Sequence, residues 1–145
     1  MKITVFTSNN FRHNYLINKL SKVSDNLNIV QEVNTLFPGS VNDYHKKNDL
    51  IKEYFNKVNK AQNIIFQDKP IQLNLKKINF LSIKYNDLNN CSLNLLKNFL
   101  NSDLYIIFGA SFIKNKLLRF LIKEKAVNIH MGVSPYFKGT DSNFW

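Results

Sequence analysis

The 145-residue sequence is poor in cysteine and glycine, and each shortage excludes a class of site. Cys91 is the only cysteine, so the chain has neither an intrachain disulfide nor a zinc site built on several thiolates. The four glycines form no Gly-x-Gly-x-x-Gly turn and no Gly-x-x-x-x-Gly-Lys loop, which disfavours the usual dinucleotide and nucleoside-triphosphate sites. No metal site is expected.

Long apolar runs are also missing. None approaches the length needed to cross a bilayer, and the apolar start of the chain is interrupted by Ser8 too soon to be a signal peptide. We therefore expect a cytoplasmic protein in a reducing compartment, without a membrane partner.

Acidic residues are outnumbered, with 10 Asp and Glu against 20 Lys and Arg and a net charge of +10. Such a balance favours an anionic partner, a nucleotide or RNA. Lysine supplies nearly all of the positive charge, since Arg12 and Arg119 are the only arginines, and the lysines are spread along the chain. Most of them are therefore interpreted as solvated surface.

Short apolar runs alternate with helical patterns, which is typical of an α/β protein with a parallel sheet. Strands are predicted at Ile3–Thr7, Asn28–Val33, Phe80–Tyr85, Leu104–Phe108 and the run that ends at Asn128. The Leu104–Phe108 run is continuously apolar and is therefore predicted to be central. The expected fold class is α/β, a Rossmann-like doubly wound, mainly parallel sheet with helices on both faces.

Helical spacing of apolar residues predicts the segments between these strands. Helices are expected from the polar turn at residues 8–13 to Val23, over residues 41–60, over the leucine-rich segment Leu93–Leu100 with a cap at Asp87, Asn90 or Ser92, and around Leu117–Ile122. The apolar face of the helix at 41–60 is expected to belong to the core. The chain length suits one domain.

Polar side chains follow the last predicted strand. Asn128 and His130 are two residues apart and therefore lie on one side of the strand, whereas Ile129 should point into the core. The glycines at 132 and 139 allow a tight loop beyond them. Ligands of open α/β sheets bind at such strand ends, so these two residues are candidate catalysts. The alternative is a surface histidine or one whose hydrogen bonds are satisfied within the protein.

Two further segments are predicted at the same edge of the sheet. The small-residue turn Gly109–Ile113 follows the strand that precedes Asn128, although such turns are also common between a strand and a helix and Phe112 and Ile113 fit a core. The first loop leads into a helix whose N-terminus, with Arg12 and His13 adding positive charge, suits an anionic group. A capped helix start with a solvated arginine is the alternative.

The motif around Asn128 resembles the signature of the folate-dependent formyltransferases. That pattern is Asn-x-His, a short loop to a proline, then an aromatic and a basic residue before a glycine. It is matched here by Asn128, His130, Pro135, Phe137, Lys138 and Gly139, with Asn143 and Trp145 beyond. The resemblance covers most of the chain in outline but is specific only from about Leu104 to Trp145.

The resemblance implies transfer of a formyl group from 10-formyltetrahydrofolate to a primary amine. Asn128 would then hydrogen-bond the formyl oxygen, and His130 would stabilise the developing oxyanion or assist proton transfer. The implied donor-binding residues are Gly109, Ala110, Ser111, Phe112 and Ile113. The implied acceptor-binding residues are Ser8, Asn9, Arg12, His13, Gly132 and Lys138.

One departure concerns the third catalytic residue of that family, an aspartate that lies further beyond the Asn-x-His motif than residue 145. Asp141 is too close to the motif to match it. We expect residues 1–145 to be an incomplete N-terminal catalytic domain, a fragment with a helical elaboration at about 41–60. The alternative is a formyltransferase relic without its base.

The acceptor implied first is an amino sugar on a nucleotide carrier, together with the folate donor. Methionyl-tRNA is the second possibility and the only one that involves nucleic acid. A rival from another class is a non-catalytic, doubly wound module that binds a ligand at the same strand ends.

Overall fold

The computed structural model of the chain describes residues 1–33, 49–66, 71, 77–132 and 136. The strands are β1 Lys2–Ser8, β2 Asn26–Val33, β3 Ile78–Lys84, β4 Leu104–Phe108 and β5 Val127–Asn128. The α-helices are α1 Phe11–Val23, α2 Asp49–Phe66 and α3 Asn115–Lys123, and a short 3₁₀ helix spans Asp87–Asn90. No helix in these ranges is both long and apolar enough to cross a membrane.

The five strands form one parallel sheet in the order β3-β2-β1-β4-β5. From β1 in the middle the chain runs outward to β2 and β3, and it then crosses to β4 and β5 on the other side of β1. The strand order of the sheet therefore changes direction between β1 and β4, although all five strands are parallel. The carboxyl ends of β1 and β4 border the crevice where ligands bind in doubly wound folds. The predicted fold class is confirmed. The predicted bounds of β4 are also confirmed, and β4 is an interior strand beside the central β1.

Both faces of the sheet are covered, as predicted. On one face Ile3 and Val5 of β1 pack with Ile17 of α1. On the other face Phe6 packs in a cluster that includes Leu117 of α3. Because alternate residues of β1 enter opposite clusters and nearly all are fully buried, this strand is the centre of the core.

A buried polar cluster lies at the amino-terminal edge of the sheet, away from the crevice. Thr4 Oγ1 donates to the Phe99 carbonyl oxygen at 2.6 Å and lies 2.8 Å from Ser102 Oγ. Asn28 Nδ2 contacts Thr4 Oγ1 at 3.2 Å, and Asn28 Oδ1 accepts from Asn79 Nδ2 at 2.9 Å. These bonds satisfy polar groups that would otherwise be costly to bury.

The helix predicted over Leu93–Leu100 is not formed; this segment folds as successive turns after the 3₁₀ helix. Its backbone bonds mix two spans, from Leu100 N to Leu96 O and from Phe99 N to Leu96 O. Ser92 nevertheless accepts from Leu95 N at 3.1 Å, as a cap would.

The expectation that Ile129 points into the core is wrong, because its side chain is 39% exposed. Only Val127 and Asn128 pair with β4, and within the described ranges β5 is an edge strand. Alternation along a strand assigns residues to two faces but does not determine whether a face is covered.

The helix predicted over 41–60 corresponds to α2, although residues 41–48 lie outside the described part and the helix continues to Phe66. Tyr54 and Val58, two residues of the predicted apolar face, are half-buried. The helix packs on α1, where the Phe66 and Tyr15 rings lie 5.3 Å apart.

Candidate active site

A cleft of about 520 Å³ opens at the carboxyl ends of β1, β4 and β5. It is lined by Arg12 and His13 at the start of α1, by residues 107–113 and by residues 128–131, with Leu118 beside them. The cleft therefore brings together the predicted catalytic pair, the predicted donor turn and two of the predicted acceptor residues. Ser8, Asn9 and Gly132 do not line it, and Lys138 lies outside the described residues.

Asn128 and His130 are both exposed and border the same cleft. His130 Nδ1 lies 3.0 Å from the Gly132 carbonyl oxygen and 3.1 Å from the Gly132 amide nitrogen. These two contacts exclude each other, because a protonated Nδ1 donates to the carbonyl whereas an unprotonated Nδ1 accepts from the amide. In either tautomer Gly132 orients the ring through Nδ1, and Nε2 has no hydrogen-bond partner among the described residues.

The tautomer decides what Nε2 can do. If Nδ1 carries the proton, Nε2 has a lone pair and can take a proton from an attacking group. If Nδ1 accepts from Gly132, Nε2 carries the proton and can donate to a developing oxyanion. Both roles predicted for His130 are thus chemically accessible from one ring position.

The turn after β4 begins at Gly109, whose φ of +69° lies in the left-handed region that favours glycine. A Cβ placed there would also overlap the ring of His13. Beyond it, Phe112 is exposed, with Lys114 Nζ 5.5 Å above its ring centroid. Ile113 lines the cleft but is also 9% exposed and packs in the core, which is the alternative considered for it.

Ser111, predicted to bind the donor, is buried and directs its polar groups elsewhere. Its amide donates to Glu32 Oε2 at 2.6 Å and its hydroxyl donates to Glu32 Oε1 at 2.7 Å. Glu32 was not singled out from the sequence. The signal that could have found it is a carboxylate within the predicted strand Asn28–Val33, between Gln31 and Val33.

The expectation that His13 adds positive charge to the N-terminus of the first helix is wrong. Burial, and then the neighbouring Arg12 charge, lower the pKa of His13 from its ordinary 6.5 to about 3, so the ring is neutral. Arg12 Nε donates to His13 Nε2 at 3.3 Å, so the ring proton is on Nδ1 and donates to Ser8 Oγ at 2.8 Å. Ser8 is therefore a partner of His13, and His13 cannot act as a base toward it.

The His13 ring also meets the edge of Phe108, with 4.5 Å between centroids. Because it lies against both Phe108 and Gly109, His13 joins the start of α1 to the turn after β4. Within the described ranges, no three His, Cys, Asp or Glu side chains group as a metal site.

No protein-family model matches this chain, and neither does any curated protein. Similar solved structures include the phosphoribosylglycinamide formyltransferase of Anaplasma phagocytophilum, at 15% identity and a TM-score of 0.50 over 99% of this chain. They also include glycinamide ribonucleotide transformylase 1 of Geobacillus kaustophilus, at 18% identity and a TM-score of 0.49 over 97% of this chain.

The chain spans 56% of the length of the first protein and 63% of the second. At such identities the similarity concerns the fold alone, and the parallel sheet with its reversal between β1 and β4 agrees with it. The fold of this chain is therefore similar to that of a phosphoribosylglycinamide formyltransferase.

Proposed function

We propose that the cleft at the ends of β1, β4 and β5 transfers a formyl group from 10-formyltetrahydrofolate to a primary amine. One observation carries the proposal: Asn128 and His130 border the same cleft as the turn Gly109–Ile113. An amide and an imidazole that converge beside a glycine-containing turn provide the groups that acyl transfer requires.

The cleft is compatible with a folate. Its volume of about 520 Å³ lies within the range usual for small-molecule sites. Phe108 and Phe112 offer aromatic walls for a flat ring, and Gly109 allows close approach to the backbone. When bound, the folate would supply the activated formyl group.

The residues of the chain would then act on the formyl group and on the amine. The Asn128 amide would donate a hydrogen bond to the formyl oxygen, where negative charge develops as the amine attacks. Nε2 of His130 would either donate to the same oxygen or take a proton from the amine, depending on whether Nδ1 accepts from the Gly132 amide or donates to the Gly132 carbonyl oxygen.

The acceptor that we propose first is an amino sugar on a nucleotide carrier. Arg12 lines the cleft at the N-terminus of α1, where a guanidinium group and the helix end both favour a phosphate group. Methionyl-tRNA is the second candidate. A tRNA acceptor predicts binding that weakens steeply with salt, since many phosphates would be contacted.

The test is formyl transfer by the intact protein, measured with 10-formyltetrahydrofolate and a panel of amines. The panel contains nucleotide-linked amino sugars, methionyl-tRNA and phosphoribosylglycinamide, the compound in the name of one similar protein. His130→Ala should lower turnover by about a hundredfold or more, as loss of an oxyanion donor does.

Two controls make this test specific. Asn101→Ala changes an exposed residue at the opposite edge of the sheet and should leave turnover unchanged. His130→Ala should keep its affinity for 5-formyltetrahydrofolate, a stable relative of the donor. If the wild-type protein binds that folate but transfers no formyl group to any amine, the non-catalytic binding module is the better description.

A further inference from the structure

Glu32, near the end of β2, is a fully buried acidic side chain that accepts three hydrogen bonds. Ser111 supplies two of them, from its amide and its hydroxyl, at 2.6 and 2.7 Å. The Asn86 amide supplies the third, to Oε1 at 3.0 Å. Both carboxylate oxygens therefore receive donors, which is the arrangement that an ionised carboxyl group requires.

No Lys or Arg of the described ranges forms an ion pair with Glu32. Burying a carboxylate without a cation is costly, and hydrogen bonds are what offset that cost. A buried carboxylate at this position therefore stabilises the core less than an apolar side chain would. Its donors belong to two loops, so its effect is to hold these loops against the end of β2.

Asn89 holds the same turn from the 3₁₀ helix. Its Nδ2 donates to the Phe112 carbonyl oxygen at 2.8 Å, and its Oδ1 accepts from the Lys114 amide at 2.7 Å. The 3₁₀ helix that carries Asn89 begins directly after Asn86, the third donor to Glu32. Glu32 and Asn89 thus form two hydrogen bonds each with residues 111–114.

We propose that Glu32 and Asn89 are positioning residues, which fix the turn after β4 in the shape that the donor side of the cleft requires. Neither side chain lines the cleft, so each acts through Ser111, Phe112 or Lys114. A turn that is ordered before the ligand binds avoids the loss of backbone entropy on binding. The identity of the ligand rests on the proposed function, whereas the rigidity of the turn does not.

The decisive variant is Glu32→Gln, which keeps the size of the side chain but replaces one acceptor oxygen by an NH₂ group. This group cannot accept the hydrogen bonds that Ser111 and Asn86 donate. Asn89→Ala provides an independent test, because Asn89 is only half-buried and its loss threatens folding less. The matched control is Thr4→Val, an equally buried position that loses its bond to the Phe99 carbonyl at the opposite edge of the sheet.

Two readouts are measured on the intact protein: amide hydrogen exchange at Ser111 and Lys114, and affinity for 5-formyltetrahydrofolate by calorimetry. We expect Glu32→Gln and Asn89→Ala to speed exchange at one or both amides about tenfold and to weaken the folate about tenfold, equivalent to about 1.4 kcal/mol. Thr4→Val should lower the urea midpoint without changing either readout.

Unchanged exchange at residues 111–114 in both variants would overturn the proposal. The proposal would also be overturned if Glu32→Gln and Asn89→Ala exchanged faster but bound the folate as tightly as the Thr4→Val control does. If the wild-type protein binds no folate, the proposed function fails, and exchange alone then decides whether Glu32 and Asn89 hold the turn. If Glu32→Gln does not fold, Asn89→Ala decides by the same two criteria.

Discussion

Replacing Gly109 by alanine tests the contact between His13 at the start of α1 and the turn after β4. Gly109 has a φ of +69°, and its missing Cβ would occupy space filled by the His13 ring. A non-glycine residue in the left-handed region costs about 1–2 kcal/mol, and an added methyl group in a packed site costs about 1–3 kcal/mol. Gly109→Ala should therefore lower the free energy of unfolding by about 2–5 kcal/mol.

The assay is urea unfolding, followed by circular dichroism, with Gly132→Ala as the matched control. Among the described glycines only Gly109 has a positive φ, so Gly132→Ala lacks the backbone part of the cost. The double variant Gly109→Ala with His13→Ala removes the steric overlap but keeps the strained φ. We expect this variant to show a favourable coupling of about 1–3 kcal/mol relative to the sum of the single changes.

An unfolding free energy for Gly109→Ala within about 0.5 kcal/mol of the wild type would refute this reasoning. If the unfolding free energies of the two single variants add up to that of the double variant, the part of this reasoning that concerns His13 is refuted. The whole cost of Gly109→Ala would then come from the backbone.

Three further predictions concern other groups. The folded-state pKa of His13 is lowered from 6.5 to about 3, so its contribution to stability is complete above pH 6.5 and is lost as the pH falls from 6.5 toward 3, by up to about 1.4 kcal/mol per pH unit. Urea midpoints measured from pH 7 to pH 4 should therefore fall with pH, and His13→Gln should make this slope smaller. Leu117→Ala, at a buried position against Phe6, should cost about 2–5 kcal/mol in the same assay, whereas the exposed Ile122→Ala should cost far less. Burial, and then the negative charges of Asp87 and Glu32, raise the pKa of the Cys91 thiol. Iodoacetamide should therefore react with Cys91 at pH 8 more slowly than with the thiol of glutathione, and unfolding in urea should abolish this difference in rate.

The strands were predictable from the sequence because their signals are local. The apolar run Leu104–Phe108 is bounded by Asp103 and by Gly109, and its observed bounds are those predicted. The position of Asn128 and His130 beside the turn after β4 also follows from local patterns, since parallel strands place their carboxyl ends at one edge.

The contacts of Glu32 were not predictable in the same way. Glu32 and Ser111 are 79 residues apart in the chain, so their contact depends on the strand order rather than on any local pattern. The segment Leu93–Leu100 illustrates a second limit, because apolar residues at helical spacing, even with a capping bond at Ser92, do not by themselves produce a regular helix. The charge of His13 depends on burial at the cleft, which its neighbours in sequence do not reveal.

A crystal structure of the intact protein with 5-formyltetrahydrofolate tests the proposed site most directly. We predict that the pterin ring lies against residues 109–113, with the folate directed toward Asn128 and His130. Clear density for the folate at another surface, or a cleft that stays empty at saturating folate, would contradict the assignment of this cleft to formyl transfer.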